Sequence, residues 1–276
     1  MNNFIDVLYN SFQLDFVRNA MLVAIFISLA SALLGIPLVL KQYSFIGDGL
    51  SHVAFGAIAV SFALKFTNNM WLTLLITIIA AIILLNNKKS KDSTLAIISV
   101  SSLAFGYITM NLFSSSTNIS SDVCTTLFGS TSILTLHTAE VILSIVLLIL
   151  VILFYIIFYT KIFSITFDES FSKSIGINVD LFNTIFSIIV AIVIVLSMNL
   201  VGSLLITALL VFPVLSSSSL FKNFKMVVIA SCIYQIICVV IGLLISIVYG
   251  TPVGSTIVII ELIVYLICQI LKKFIY

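Results

Sequence analysis

An acid and an imidazole lie four residues apart in Gly47-Asp48-Gly49-Leu50-Ser51-His52, where a strongly apolar stretch begins. Positions i and i+4 share one face of an α-helix, so Asp48 and His52 present an oxygen and a nitrogen donor in one direction. That pair suits a divalent cation of borderline hardness: zinc, manganese or ferrous iron. No cysteine lies beside it, which disfavours a soft copper(I) site. The competing use of the same residues is a polar pair hydrogen-bonded between helices. A charged side chain at the centre of a membrane helix costs roughly 2.5–3.5 kcal/mol on insertion scales, so an acid there marks a functional candidate. The small residues around the pair, Gly47, Gly49, Ser51, Ala54 and Gly56, allow close helix approach at a bundle or dimer interface.

Two further positions carry candidate chemistry. Glu261 is the other acid deep in an apolar run. It either lines an ion path or bonds a Ser or Thr of a neighbouring helix. His137, near Glu140, reads as an interfacial surface residue, with metal entry as its alternative use. The four cysteines, Cys124, Cys232, Cys238 and Cys268, have no metal-type pair spacing, and three lie in apolar runs as expected for buried thiols.

These residues must be positioned by membrane helices. The chain has 276 residues, 62% hydrophobic and 8% charged, against about 45–50% and about 25% in soluble domains. Net charge is +2, so nucleic acid is not an expected partner, whereas membrane lipid is. The N-terminus does not read as a cleavable signal, because Asp6, Asp15 and Arg18 precede an apolar run longer than a signal core. The expected fold is all-α: one polytopic membrane bundle over 1–276. Nine apolar segments are legible, near 20–40, 44–64, 70–86, 92–113, 139–160, 180–198, 200–220, 226–249 and 253–271. The sixth and seventh nearly merge at Asn199 and Gly202, leaving eight spans as the alternative. Asp48 and His52 then lie about 6–12 Å into a span beginning near Ser44.

The positive-inside rule sets the expected orientation. With the 41–43 turn inside, Lys41, Lys88, Lys89, Lys91, Lys161, Lys173, Lys222, Lys225, Lys272 and Lys273 are cytoplasmic, and only Arg18 and Lys65 are outside. This alternation requires nine crossings, with the N-terminus outside and the C-terminus inside. The outer connection 114–138 is rich in Ser and Thr. In the inner connection 161–179, Asp168 is placed to cap a short helix that stops at Gly176. Phe167, Phe171, Ile175 and Ile177 give that helix an apolar side, for a partner protein or for its own bundle. Pro213 and the Ser216–Ser219 run shape or end a helix, and Trp71 fits an outer aromatic belt.

Taken in order, these segments resemble the membrane subunit of zinc/manganese/iron ABC importers. The resemblance rests on Gly47 to Gly56, Leu127-Phe128-Gly129-Ser130, Phe167-Asp168-Glu169 through Gly176, Val201-Gly202-Ser203-Leu204-Leu205 through Pro213, and Thr251-Pro252-Val253-Gly254 with Thr256-Ile257-Val258. The wording at 49–56 is closer to the zinc-uptake branch, since the Pro-Gly common after the His in manganese members is absent at 55–56. The resemblance implies a homodimeric permease of a bacterial cell membrane. It implies a cytoplasmic ATPase docked near 167–178, on Phe167, Asp168, Glu169, Phe171, Ile175 and Gly176. It also implies an extracytoplasmic metal-binding protein as donor, and Asp48 and His52 as metal ligands doubled by a two-fold axis. The metal is cargo, and no cofactor of its own is expected.

ATP binding needs a Gly-x-x-x-x-Gly-Lys-Ser/Thr loop, and the sequence has none, so energy must come from another subunit. Manganese or iron import by the same family is the nearest alternative. An ion-coupled secondary transporter is a second, but no convincing internal repeat supports it. An intramembrane metalloenzyme is a third, without a His-Glu-x-x-His motif to support it.

Overall fold

The computed structural model describes residues 10–64, 69–86, 91–113 and 138–275. The expected motif at 127–130, His137 and Cys124 lie outside the described residues. Among those described there are helices and no strands. We number them α1 (Asp15–Leu40), α2 (Ile46–Ala63), α3 (Asn69–Asn86), α4 (Lys91–Phe113), α5 (Thr138–Phe167), α6 (Glu169–Ser174), α7 (Val179–Val201), α8 (Ser203–Leu220), α9 (Phe224–Tyr249) and α10 (Val253–Ile275). Eight are long and apolar enough to cross a membrane, and α3 is a shorter apolar helix.

The eight spanning helices and α3 run alternately between two ends. At one end Lys41, closing α1, meets Glu169 and Asn183. There Asn86, closing α3, bonds Thr184 near the start of α7. Phe163 and Phe167, late in α5, pack on Phe224 at the start of α9. At the other end Ala20, Val23, Leu200, Val201, Leu205, Leu243 and Ile257 form one apolar cluster. Lys161, Lys173, Lys222, Lys225, Lys272 and Lys273 join Lys41 at the first end, and Arg18 lies at the opposite one.

This geometry separates the merged segments at 198–202. Gly202 alone joins α7 to α8, with φ 94° and ψ 155°. L-residues rarely adopt that conformation, and it reverses the chain in one step. The pair is a hairpin of two passes, not one broken helix.

Pro213 does not end α8. Its carbonyl accepts from Ser217 Oγ at 2.5 Å and from Ser231 Oγ of α9 at 3.3 Å, so hydroxyls join α8 to α9 in an apolar setting. The expected 139–160 span is longer than its hydropathy core. α5 continues to Phe167, and its 30 residues make it about 45 Å long. Edge-to-face contact of Phe163 and Phe167 with Phe224 supports the extra turns.

α2 is held by its small residues. A Cβ on Gly56 would lie 2.8 Å from the Ser102 carbonyl oxygen of α4, and one on Gly106 would lie 2.9 Å from Gly56 Cα. The glycines of the Asp48/His52 segment therefore serve contacts within the bundle. Gly56→Leu should destabilise the protein by about 1–3 kcal/mol through overpacking. Thermal unfolding in detergent checks this, and an unchanged midpoint would show that α4 yields freely.

Candidate functional site

The candidate donors sit just after a tight turn. Gln42 adopts φ 64°, Tyr43 N–H donates to Leu38 O at 2.8 Å, and Ile46 N–H donates to Tyr43 O at 3.0 Å. α2 therefore begins at Ile46, two residues later than expected from sequence. By helical rise, Asp48 and His52 lie about 3 and 9 Å from its start, level with Ser203 and Thr207 in the first turns of α8, with which they line one cavity.

The structure brings the two together. His52 Nε2 lies 3.4 Å from Asp48 Oδ2, and the side chains are 22% and 48% exposed respectively. His52 Nδ1 is buried and makes no hydrogen bond. Both residues line a cavity of about 750 Å³ between α2 and α8, with Val258 of α10 at its edge. Its remaining wall is mostly apolar: Phe45, Leu204, Ala208, Val211, Phe212 and Leu215, with hydroxyls from Ser44, Ser203 and Thr207. Ser51, between the two donors in sequence, donates its hydroxyl to Gly47 O at 2.7 Å and serves the helix backbone.

Among the described residues no three His, Cys, Asp or Glu side chains gather as a metal site. One chain thus offers two strong donors to the cavity. A partial shell can bind a cation and also release it, which suits passage more than storage.

Glu261 is placed differently. It is 2% exposed, lines no part of the cavity, and accepts a hydrogen bond from Gln235 Nε2 of α9 at 2.9 Å. Its partner is an amide of α9, in place of the Ser or Thr expected. Phe212 borders both the cavity and the packed surroundings of Glu261.

The short helix α6 forms as its sequence dictates. Asp168 Oδ1 accepts from Phe171 N–H at 2.9 Å, and the chain turns at Gly176 with φ 86°. Ser172 Oγ, 2.7 Å from Ser164 Oγ, ties α6 to α5, and Lys173 Nζ, 3.2 Å from Asp180 Oδ1, ties it to α7. Phe167, Phe171 and Ile175, spaced by four, are 62%, 57% and 55% exposed, while Ile177 turns towards the core. Phe171 and Ile175 are thus the outward apolar side chains of this segment, while Phe167 also packs on Phe224. Sequence reasoning missed Lys41 as anything beyond a topology charge; its place directly before the glycine-rich segment was the available signal.

The model of the ABC 3 transport family matches residues 13–272. The chain is 29% identical over 255 residues to the manganese import system permease protein ScaB of Streptococcus gordonii, covering 91% of this chain and 90% of that protein. It is also 29% identical over 244 residues to the high-affinity zinc uptake system membrane protein ZnuB of Haemophilus influenzae, covering 87% and 91%. The structure of PsaBC from Streptococcus pneumoniae in complex with Fab superposes with a TM-score of 0.82 at 26% identity, over 100% of this chain and 99% of that one.

If Asp48 and His52 are ligands, Asp48→Ala and His52→Ala should each weaken zinc binding at least roughly 10–100-fold, the range seen even for ligand-supporting groups. Glu261→Gln should leave it unchanged. Equilibrium dialysis on purified protein checks both, and unaltered binding in the first two variants would make the pair structural.

Proposed function

The chain belongs to the ABC 3 transport family, and on that premise we propose that it carries zinc into the cytoplasm through the Asp48/His52 cavity. It is a multi-pass bacterial inner-membrane protein, the permease of a metal-importing ABC system, without catalytic activity of its own.

The observation that supports this reading best is the pairing of one carboxylate and one imidazole on the wall of an otherwise apolar cavity. A second copy across a two-fold axis would complete a set of two nitrogens and two oxygens, which fits zinc's four-coordinate preference. Phe45, 70% exposed, and Leu204, 41% exposed, provide an apolar rim where that copy would seat. The lysine-rich end faces the cytoplasm by the positive-inside rule, with the N-terminus outside and the C-terminus inside. The exposed Phe171 of α6, flanked by Phe167 at the end of α5 and Ile175 just after α6, is then the docking surface for the ATPase, with Asp168, Glu169 and Gly176 fixing the helix at its centre. A metal-binding protein outside the membrane delivers the ion. ATPase closure against α6 opens the cavity to one side at a time.

Manganese is the second reading, favoured by the likeness to the manganese import permease ScaB. Radiolabelled zinc uptake by metal-starved cells separates the two. The expected result is uptake that requires His52, with excess manganese competing weakly. Manganese entry without zinc entry would reverse the choice of metal.

The docking surface has its own test. Phe171→Asp should abolish co-purification of the ATPase while leaving the permease dimer and its zinc binding intact. Retained ATPase would remove this surface from the interface.

A further inference from the structure

The cavity donors and α6 are far apart in sequence, yet one side chain at the turn leading into α2 reaches α6. Lys41 Nζ lies 3.0 Å from Glu169 Oε1 of α6 and 3.3 Å from Asn183 Oδ1 of α7. The Lys41 side chain is only 13% exposed and that of Glu169 30%, so water screens this pair far less than a surface pair.

Lys41 closes α1, and only four residues separate it from the start of α2. Those residues form no slack linker. Lys41 N–H bonds Pro37 O at 3.1 Å, and Gln42 N–H bonds Val39 O at 3.0 Å. Tyr43 N–H bonds back to Leu38 O, Ile46 N–H bonds back to Tyr43 O, and Gly49 N–H bonds Phe45 O at 3.0 Å. The Tyr43 ring is buried, with its hydroxyl 3.5 Å from Leu85 O of α3. A displacement at Lys41 therefore reaches Asp48 through seven residues of hydrogen-bonded chain. On the other side, Glu169 is the first residue of α6, whose Ser172 and Lys173 bond α5 and α7.

We propose that the Lys41–Glu169 ion pair is the transmission link between α6 and the Asp48/His52 helix, so that movement of α6 tilts the start of α2. This rests on the reading of α6 as the ATPase docking surface. Lys41 is a positioning residue, since it touches neither the cavity nor the exposed stripe.

The test uses the complete transporter with its ATPase, reconstituted in lipid vesicles. Lys41→Met should keep ATPase co-purification and zinc binding. Zinc moved per ATP hydrolysed should fall roughly three- to thirtyfold, the range over which linking residues alter coupling. Adding Glu169→Gln to Lys41→Met should lower that ratio no further, because Lys41→Met already removes the ion pair. Normal stoichiometry in Lys41→Met, or a further loss in the double variant, would overturn the link. So would loss of the ATPase or of zinc binding, which would give Lys41 a docking or folding role. A wild-type permease that retains no ATPase at all would instead remove the docking reading of α6, and the link with it.

Discussion

Both strong candidate donors in the cavity are carried by α2, and α2 is fixed on three sides. Gly49 and Gly56 admit Leu95 and the Ser102 carbonyl of α4, Gly47 faces the Leu210 side chain of α8, and the hydrogen-bonded turn at 41–45 anchors its start to α1. Lipid gives helices little hydrophobic reason to associate, so close backbone approach and polar contacts must supply the specificity. Larger residues at these positions would push α2 away from α4 or α8. The cavity wall formed by α8 and the donor pair would then lose their common frame. The glycines and the Asp/His pair, interleaved in one short segment, thus serve a single requirement: donors held still inside an apolar bundle.

Much of this was legible in the sequence because membrane physics is local along the chain. Apolar length set the passes, lysine distribution set which ends lie together, and i,i+4 spacing put Asp48 beside His52. The Asp168 cap and the Gly176 stop were also readable, since capping depends on neighbours within a few residues. What escaped was non-local or depended on packing. Lys41 and Glu169 are separated by 128 positions, and nothing in either neighbourhood names the other. Gln235 as the partner of Glu261 was hidden in the same way. The true end of α5 depended on aromatic contacts with Phe224, which a hydropathy window does not see. Gly202 was visible as a break, but only the shared clusters at the two ends distinguish a hairpin from a kink.

The cavity also bears on the choice of metal. One chain alone offers two strong candidate donors, and the nearby hydroxyls of Ser44, Ser203 and Thr207 would be weaker ligands. An ion held there exchanges more readily than one in a closed four-ligand site. That is consistent with comparable likeness to permeases named for zinc and for manganese. On the proposed two-fold arrangement, the second half of the shell comes from the second copy, so the geometry of the dimer bears on selectivity together with ligand type.

The single-residue link at Gly202 has a consequence for how the chain is made. With no polar loop between them, α7 and α8 offer nothing to be left in water while one waits for the other. A lone apolar helix ending at that point would hold its next segment at the membrane surface with its backbone already committed to turning back. The link therefore favours entry of the two helices into the bilayer together. α8, which lines the cavity, would then meet α2 with α7 still tethered to it through Gly202.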